Sequence, residues 1–469
     1  MVNRKQFFAL MSVFAITLTG FVLYQTLPTL VGSKQFLVDA KLQKIISLFA
    51  LKPLPIRLYE ADPKFLLGQA LFFDPVLSGR RDVSCATCHL LKYGLGDGLA
   101  RSIGAHGEGL GADRRLIKGR QIHPRNSLDL WNRDNGAVKS FFWDGRVEVL
   151  DPGRRVFRSP LGSVLPTGFE NGMAVQSIFP FAVPDEMLGE YGEYSSSSLP
   201  EPHRNKPNDL LVSKSFRAET ERIQSVHLQL LARLLGSSEA TENWQKDYRQ
   251  AFHDAYPNKN FKDFSIVDLG NAIAHFEELA FASNNSAWDK YLGGNSQAIT
   301  DSAKQGAVLF YGKGRCAACH TGAMFSDFDY HNIGIYSKIE VQGQVVDDYG
   351  RWFITRLAKD RFVFRTPPLR NVTKSAPYFH DGSTPDLESA IIRHLNPLKK
   401  AGDYLPDGSF AIKREQVESL SPIFTESANL TKDEIQSLVR FLTALESQSR
   451  DGSQIVPRSV PSRLTVVYN

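Results

Sequence analysis

Cysteine is scarce in this chain of 469 residues, which contains four, and methionine, with five, is nearly as scarce. All four cysteines stand in two short motifs of identical spacing, so none is left over for a disulfide bond. The net charge is also small, at +5, because 55 Lys and Arg are scattered among 50 Asp and Glu without a long basic block. These proportions do not support nucleic-acid binding. With 42% apolar residues, the chain is globular and long enough for about two to three domains.

The two motifs are Cys-x-x-Cys-His pentads, Cys85 to His89 and Cys316 to His320. Two thiols three positions apart can add to the two vinyl groups of one haem, and the next residue supplies an imidazole to the iron. A zinc site would need two further ligands, and a thioredoxin-like motif requires neither the histidine nor a second copy. The spacing therefore predicts two covalently bound c-type haems, attached through Cys85, Cys88, Cys316 and Cys319 and ligated by His89 and His320.

An apolar run of 18 residues, Phe7 to Tyr24, follows Arg4 and Lys5. Its length lies between that of a long signal-peptide core and that of a short membrane span. No good Ala-x-Ala cleavage site follows it, which favours an uncleaved anchor over a signal peptide for residues 1–30. Either interpretation predicts export.

An internal repeat precedes the two pentads: Gly68 to Phe72 before the first and Gly306 to Phe310 before the second. Each segment is typical of a helix that runs into a haem loop. Strand signals are few, so we predict a mainly α fold of two haem domains with long loops, plus the N-terminal hydrophobic helix. A Ser- and Pro-rich stretch predicts a boundary near residue 215, which divides the chain into 1–30, 50–215, 216–447 and a tail of 448–469.

Several ordered segments between Gly68 and Leu445 carry a family resemblance: Leu71 to Asp74, Pro124 to Asn126, Phe142 to Arg146, Asp185 to Met187, Asp348 to Arg351, Phe364 to Pro367, Leu369 to Val372 and Ala376 to Gly382. Together they resemble the bacterial di-haem cytochrome c peroxidase family, which includes the maturation oxidase of methylamine dehydrogenase. The resemblance implies two cytochrome c-like domains. It also implies that the first haem is the peroxide site and the second stores or relays an electron.

The resemblance implies candidates for the remaining iron positions. The glycine-rich segment around His106 resembles the family's loop whose histidine caps the first iron and swings away, and His123 is a rival for this role. At the second iron the peroxidases have a methionine and the maturation oxidase a tyrosine; the same register falls here on His394. Met324 lies four residues after His320, too close to reach the opposite haem face. His394 is therefore the predicted ligand, the alternative being that it only packs within its helix.

Further site residues follow from the same register. The family's acid-base glutamate corresponds to Asp151, with Glu148 as its substitute, and the tryptophan between the haems corresponds to Trp131. The plainer alternatives are that Asp151 is a solvated surface acid and that Trp131 is a core residue. A calcium ion between the haems is implied, held by Asn126, Ser375 and Pro377; hard oxygen donors suit calcium.

These expectations describe a di-haem peroxidase that reduces hydrogen peroxide with electrons from a small cytochrome c or a cupredoxin. The alternatives are an oxidase that modifies a Trp or Tyr of a protein partner, and a pure electron carrier without enzymatic activity. The resemblance further implies the periplasmic side of a bacterial inner membrane and a homodimer.

Overall fold

The computed structural model describes residues 36–57, 60–117, 120–341, 343–395, 397, 414–424, 428–447 and 452–468. Most regular structure in these ranges is helical, as predicted. The helices, labelled in chain order, are α1 (36–48), α2 (Pro63–Phe73), α3 (Cys85–Cys88), α4 (Gly172–Ser177), α5 (Glu219–Leu235), α6 (Asn243–Ala255), α7 (Ile266–Ala280), α8 (Ala287–Leu292), α9 (Asp301–Tyr311), α10 (Trp352–Thr355), α11 (Leu387–Leu395), α12 (Arg414–Glu418), α13 (Lys432–Thr443) and α14 (Gly452–Ile455).

The strands are short and pair antiparallel. They are β1 (Gly107–Glu108), β2 (Arg115–Leu116), β3 (Ser140–Phe141), β4 (Val147–Asp151), β5 (Val156–Arg158), β6 (Tyr330–His331), β7 (Lys338–Val341), β8 (Gln344–Asp347) and β9 (Phe364–Arg365). β1 pairs with β2, β3 with β4 and β4 with β5, β6 with β9, and β7 with β8. These ribbons tie long loops together around the helices.

The same helix crossing occurs twice. In the first domain a Cβ added to Gly68 on α2 would lie 1.9 Å from the carbonyl oxygen of Ala272 on α7. In the second domain a Cβ added to Gly306 on α9 would lie 1.9 Å from the carbonyl oxygen of Ser437 on α13. Only glycine lets the two backbones approach so closely. The sequence repeat ahead of each pentad therefore corresponds to one structural unit that is present in both domains.

Helix capping sets where these helices begin. Asp62 accepts a hydrogen bond from the Phe65 amide ahead of α2, where Pro63 occupies the first turn. Thr431 and Glu434 form a reciprocal capping box at the start of α13.

Two hydrophobic cores define the domains, and their boundary differs from the predicted one near residue 215. Most of the first core lies between Phe65 and Phe281 and includes residues of α5, α6 and α7, with Met324, Phe328 and three residues after Gly452 added to it. Apart from Leu42, the second core extends from Trp288 to Leu445. Helices α5 to α7 belong to the first domain because α7 supplies the partner that α2 needs for its apolar face. The Ser-rich stretch is thus a loop within the first domain.

The described segments nearest to the two ends of the chain pack on different domains. Leu42 of α1 lies in the second core, and Asp39 pairs with Lys304 on α9 at 3.0 Å. The C-terminal segment instead joins the first domain, where Leu464 is buried and the Ser462 hydroxyl donates to Asp74 at 2.6 Å. Residues 452–468 are therefore part of the first domain's packing.

Among the described residues no helix combines the length and apolarity needed to cross a membrane. The predicted hydrophobic helix of residues 1–30 lies outside these residues and stays a prediction.

The glycine crossing predicts a large effect for one methyl group. We expect Gly68→Ala to lower the free energy of unfolding by ~1–3 kcal/mol or more, since neither backbone can move aside cheaply. Thermal unfolding of the haem-loaded protein measures this effect. Gly136→Ala is the matched control, because nothing lies within 4 Å of its added Cβ. Equal stability of the two variants would contradict the close crossing.

Two candidate haem sites

The second pentad opens onto a large cavity. Cys316, Cys319 and His320 line it together with His394 from α11. Its empty volume is about 1410 Å³ with the open mouth included. Most of the remaining wall is apolar and is contributed by Phe310, Leu387, Ile391, Leu438 and Leu442. A large, flat, apolar group with two reactive edges fits this wall.

Both imidazoles of this cavity are oriented by backbone carbonyls. His320 Nδ1 donates to the Phe325 carbonyl at 3.0 Å, and His394 Nδ1 donates to the Ala390 carbonyl at 2.8 Å. Each bond leaves Nε2 as the free nitrogen, which is the usual arrangement of a metal-binding histidine. Burial lowers the pKa of both rings, that of His320 to about 4, so both are neutral as a metal requires.

The distance between the two rings matches a single metal atom between them. Their centroids are 6.3 Å apart. Two imidazole nitrogens that bind one metal at about 2.0–2.1 Å each place the ring centroids roughly 6 Å apart. His320 and His394 are therefore the residues that would hold one haem iron in this cavity.

Arg365 supplies a second test of the fit. Its guanidinium is buried against the cavity, where Nε donates to the Phe142 carbonyl and Nη1 to the Thr366 carbonyl. Nη2 is buried and has no hydrogen-bond partner in the described part of the chain. Burial and the charge of Arg133 lower the pKa of Arg365 to about 9. A haem propionate is an acceptor of the right charge for this nitrogen, so the residues present fit a haem.

One metal-ligand cluster competes for a thiol of this site. Sγ of Cys319 lies within 4.8 Å of ligand atoms of Asp327 and His331. The hydrogen bond from His331 to Asp327, 2.9 Å long, raises the pKa of His331 to about 10. A protonated imidazole is not a metal ligand, and haem attachment consumes the Cys319 thiol.

The first pentad lines a second cavity of about 1000 Å³, with its mouth included. Here His89 Nδ1 donates to the Leu95 carbonyl at 2.8 Å, so Nε2 is again the free nitrogen. Burial lowers the pKa of His89. This cavity differs from the other in its polar lining, which includes His123, Arg146, Gln176, Glu186 and Glu277.

His123 and Glu186 form a half-buried ion pair in this wall. His123 Nε2 lies 3.0 Å from Glu186 Oε1. Burial alone would lower the pKa of His123, but the hydrogen bond and charge of Glu186 outweigh it and raise the pKa to about 9. Burial would likewise raise the pKa of Glu186, yet the contact with His123 lowers it. A base and an acid are thus held together beside the first haem cavity.

Two predicted residues lie away from this cavity. His106 is buried with a positive φ of 67° and hydrogen-bonds through Nε2 to both carboxylate oxygens of Glu193 at 3.0 Å. Asp151 lies at the end of β4, where its side chain is 43% exposed and accepts from the Arg154 amide. Neither lines the cavity of His89, whereas His123, the rival of His106, does. The roles assigned to His106 and Asp151 stay predictions.

Glu186 and Gln176 line the first cavity, although the sequence pointed to no role for either. Glu186 stands in one of the segments that carry the family resemblance, next to Met187, which also lines the cavity. Gln176 lies on α4, within the stretch between Arg146 and Glu186 that does not match the family segments. The family segment that contains Glu186 and Met187 was the sequence feature that could have pointed to Glu186 as the acid.

Trp143, not Trp131, lies between the two cavities. Trp143 lines both, and its indole N–H donates to the Asn126 carbonyl at 2.9 Å. Trp131 is buried in the first core against Phe281, and its indole N–H donates to the Gly94 carbonyl. The assignment of Trp131 as the residue between the haems therefore has no support from its position.

Asn126, one of the predicted calcium ligands, is hydrogen-bonded to the other domain. The Asn126 amide N–H of the backbone donates to the His380 carbonyl at 2.8 Å, and its side-chain amide donates to the Leu99 carbonyl at 2.8 Å. Ser375 donates its hydroxyl to the Val372 carbonyl. These bonds bring Asn126 to the segment that follows Pro377. The calcium site stays a prediction.

Comparison with known proteins agrees with this geometry. The family model described as "Di-haem cytochrome c peroxidase" matches residues 62–297. Among related proteins, the methylamine utilization protein MauG of Methylorubrum extorquens is 26% identical over 385 residues, which cover 82% of this chain and 78% of that protein. Cytochrome c551 peroxidase of Pseudomonas aeruginosa is 28% identical over 346 residues, which cover 72% of this chain and 75% of that protein.

Solved structures show the same fold. A MauG-like protein associated with microbial copper homeostasis superposes with a TM-score of 0.55 at 22% identity, covering 87% of this chain and 95% of that one. The diheme peroxidase BthA of Burkholderia thailandensis superposes with a TM-score of 0.55 at 18% identity, covering 83% and 87%.

The paired imidazoles predict the effect of exchanging one of them. We expect His394→Met to raise the midpoint potential of the second haem, because methionine ligation raises haem potentials. A spectroelectrochemical titration of the haem-loaded protein measures it. His253→Met is the control, since this histidine is exposed on α6. An unchanged potential in His394→Met would mean that the ligand is another residue.

Proposed function

This chain belongs to the di-haem cytochrome c peroxidase family, and on that premise we propose that it reduces hydrogen peroxide to water. Family membership implies two c-type haems. In the proposal the electrons come from a small cytochrome c or cupredoxin and enter at the second haem. The observation that carries this proposal is the difference between the two cavities. One holds two neutral imidazoles whose ring centroids are 6.3 Å apart, and the other holds one imidazole beside an acid-base pair.

At the first cavity, a bound haem supplies the iron position for peroxide and the redox equivalents that cleave its O–O bond. The protein must move a proton from the near oxygen of peroxide to the departing one. Glu186 is the proposed carrier, because its carboxylate lines the cavity and its pKa is lowered. His123 holds Glu186 in the ionised form and keeps a second proton within one hydrogen bond. With two electrons and two protons, one peroxide yields two waters.

Trp143 is the proposed electron step between the haems. It is the indole that lines both cavities, so an electron that passes through it need not leave the protein interior. The contact of its ring with His380, at a centroid distance of 6.4 Å, continues the aromatic wall into the second domain.

A second candidate function is oxidation of a Trp or Tyr on a protein partner. His394 favours it, because imidazole in place of methionine lowers the potential of the second haem and weakens electron uptake from a high-potential donor. The similarity to MauG points the same way. We place either reaction on the exported, periplasmic side of the membrane, as covalent haem attachment and the apolar run Phe7 to Tyr24 suggest.

Spectra of the purified protein separate these enzymes from an electron carrier. We expect the oxidised or half-reduced protein to change its haem spectrum when hydrogen peroxide is added. Only low-spin haem, unchanged by peroxide in both forms, would rule out both enzyme proposals. Peroxide-dependent oxidation of a reduced small cytochrome would then identify the peroxidase, and its absence would favour the protein oxidase.

Substitution of the two acids tests the proposed proton carrier. We expect Glu186→Gln to lower the rate of the peroxide reaction by about 10²–10⁴-fold, since the amide preserves the shape but cannot accept and release a proton. Stopped-flow mixing of the half-reduced protein with peroxide measures this rate. Asp151→Asn is the matched control and should react like the wild type, because Asp151 lies on the surface. The reverse pattern would restore Asp151 as the acid-base residue.

A further inference from the structure

A third cavity lies in the first domain and shares no lining residue with the two haem cavities. It is formed by the segment before the first pentad, the loop that follows Pro202, and the helices α5 and α6. Its empty volume is about 800 Å³ with the mouth included. The proposed peroxide chemistry uses none of its side chains. The polar lining of the cavity includes Arg81, Lys206, Asp209, Arg233 and Trp244.

The floor of this cavity has more positive than negative charge. Arg81 Nη2 lies 3.1 Å from Asp209 Oδ2, and Arg233 Nε donates to Asp209 Oδ1 at 2.8 Å. Both guanidiniums are buried, whereas the Asp209 side chain is 46% exposed. Burial, and then the charge of Arg233, lower the pKa of Arg81 to about 10. The Asp209 carboxylate is thus the shared ion-pair partner of two buried guanidiniums.

The other acid in the wall, Glu242, offsets only part of this charge. Glu242 is the N-cap of α6, and its side chain accepts from the backbone of Gln245. Lys206 is exposed at the rim and adds a further positive charge. The lining therefore carries three cationic side chains and two carboxylates, an excess of one positive charge.

Hydrogen bonding in the wall shows the same imbalance. Nε and Nη1 of Arg81 and Nε1 of Trp244 are buried and have no hydrogen-bond partner among the residues that the structure describes. Arg233, by contrast, also donates to the carbonyls of Val76 and Ser78. Arg81 and Trp244 are each more than nine-tenths buried. Buried donors without acceptors cost about 1–3 kcal/mol each, so an acceptor in this cavity would be stabilising.

We propose that this cavity binds a small oxyanion, a carboxylate or phosphate group, with Arg81 as its principal contact. A guanidinium presents paired N–H donors that match the oxygens of both groups. Lys206 at the rim adds charge, and the Trp244 indole N–H offers a further donor in the wall. Asp209 competes with the ligand for Arg81. Binding should stabilise the first domain, because the ligand would join α5, α6 and the segment that leads into the first haem loop.

Calorimetric titration of the haem-loaded protein with inorganic phosphate and with acetate tests the proposal. Ionic strength is held constant with chloride, which also serves as the reference anion. We expect saturable binding that Arg81→Gln weakens by at least about tenfold, the loss of one charged hydrogen bond. Asp209→Asn should tighten binding, because it removes the competing carboxylate. Arg204→Gln is the matched control, since this exposed arginine donates to the Leu199 carbonyl and does not line the cavity.

The outcomes separate the sources of the anion. Binding of phosphate alone would identify a phosphorylated ligand, and binding of acetate alone would identify a carboxylate ligand. No saturable binding of either anion beyond that of chloride would overturn the proposal. So would equal affinity in the wild type, Arg81→Gln and Asp209→Asn. If Arg81→Gln does not fold, Lys206→Gln replaces it, because this residue is exposed and its loss should weaken binding without affecting folding.

Discussion

The close crossing of two helices at a glycine is the constraint on which each domain depends. It brings α2 onto α7 and α9 onto α13 at a distance that no side chain at Gly68 or Gly306 would permit. The same helices wall the haem cavities: Ile273 and Glu277 of α7 line the first, and Phe310 and Leu438 line the second. A haem bound to either pentad is therefore held against helices whose spacing is set by glycine.

Burial makes the two cavities chemically different although their frameworks are alike. In the second, burial outweighs the opposing charge of Asp327 on His320, and burial also lowers the pKa of His394, so both rings are neutral. In the first, His123 and Glu186 are charged because each lowers the cost of burying the other. One arrangement suits coordination of a metal at both faces, and the other suits transfer of a proton. The proposed division of labour between the haems rests on this contrast.

Much of the fold followed from local patterns, and less of the first site did. The repeated helices before the pentads are short-range features, so the spacing of residues along the chain was sufficient to predict them. The domain boundary was misplaced because the Ser-rich loop resembles a linker in composition, while α7 must fold back onto α2. Glu186 and Gln176 received no role from the sequence because counting along the chain fails where the segment between Arg146 and Glu186 does not match the family. Trp143 lines both cavities through packing between the domains, which no spacing along the chain records.

The sequence by itself determined the cofactor chemistry of this protein, since two thiols and an imidazole within five residues act on one haem whatever the rest of the chain does. It also indicated His394, whose ring the structure brings to 6.3 Å from that of His320. Only the tertiary structure decided which acid, which tryptophan and which histidine face the first cavity. These side chains come from separate loops and helices, and their meeting depends on packing between elements that no local spacing records.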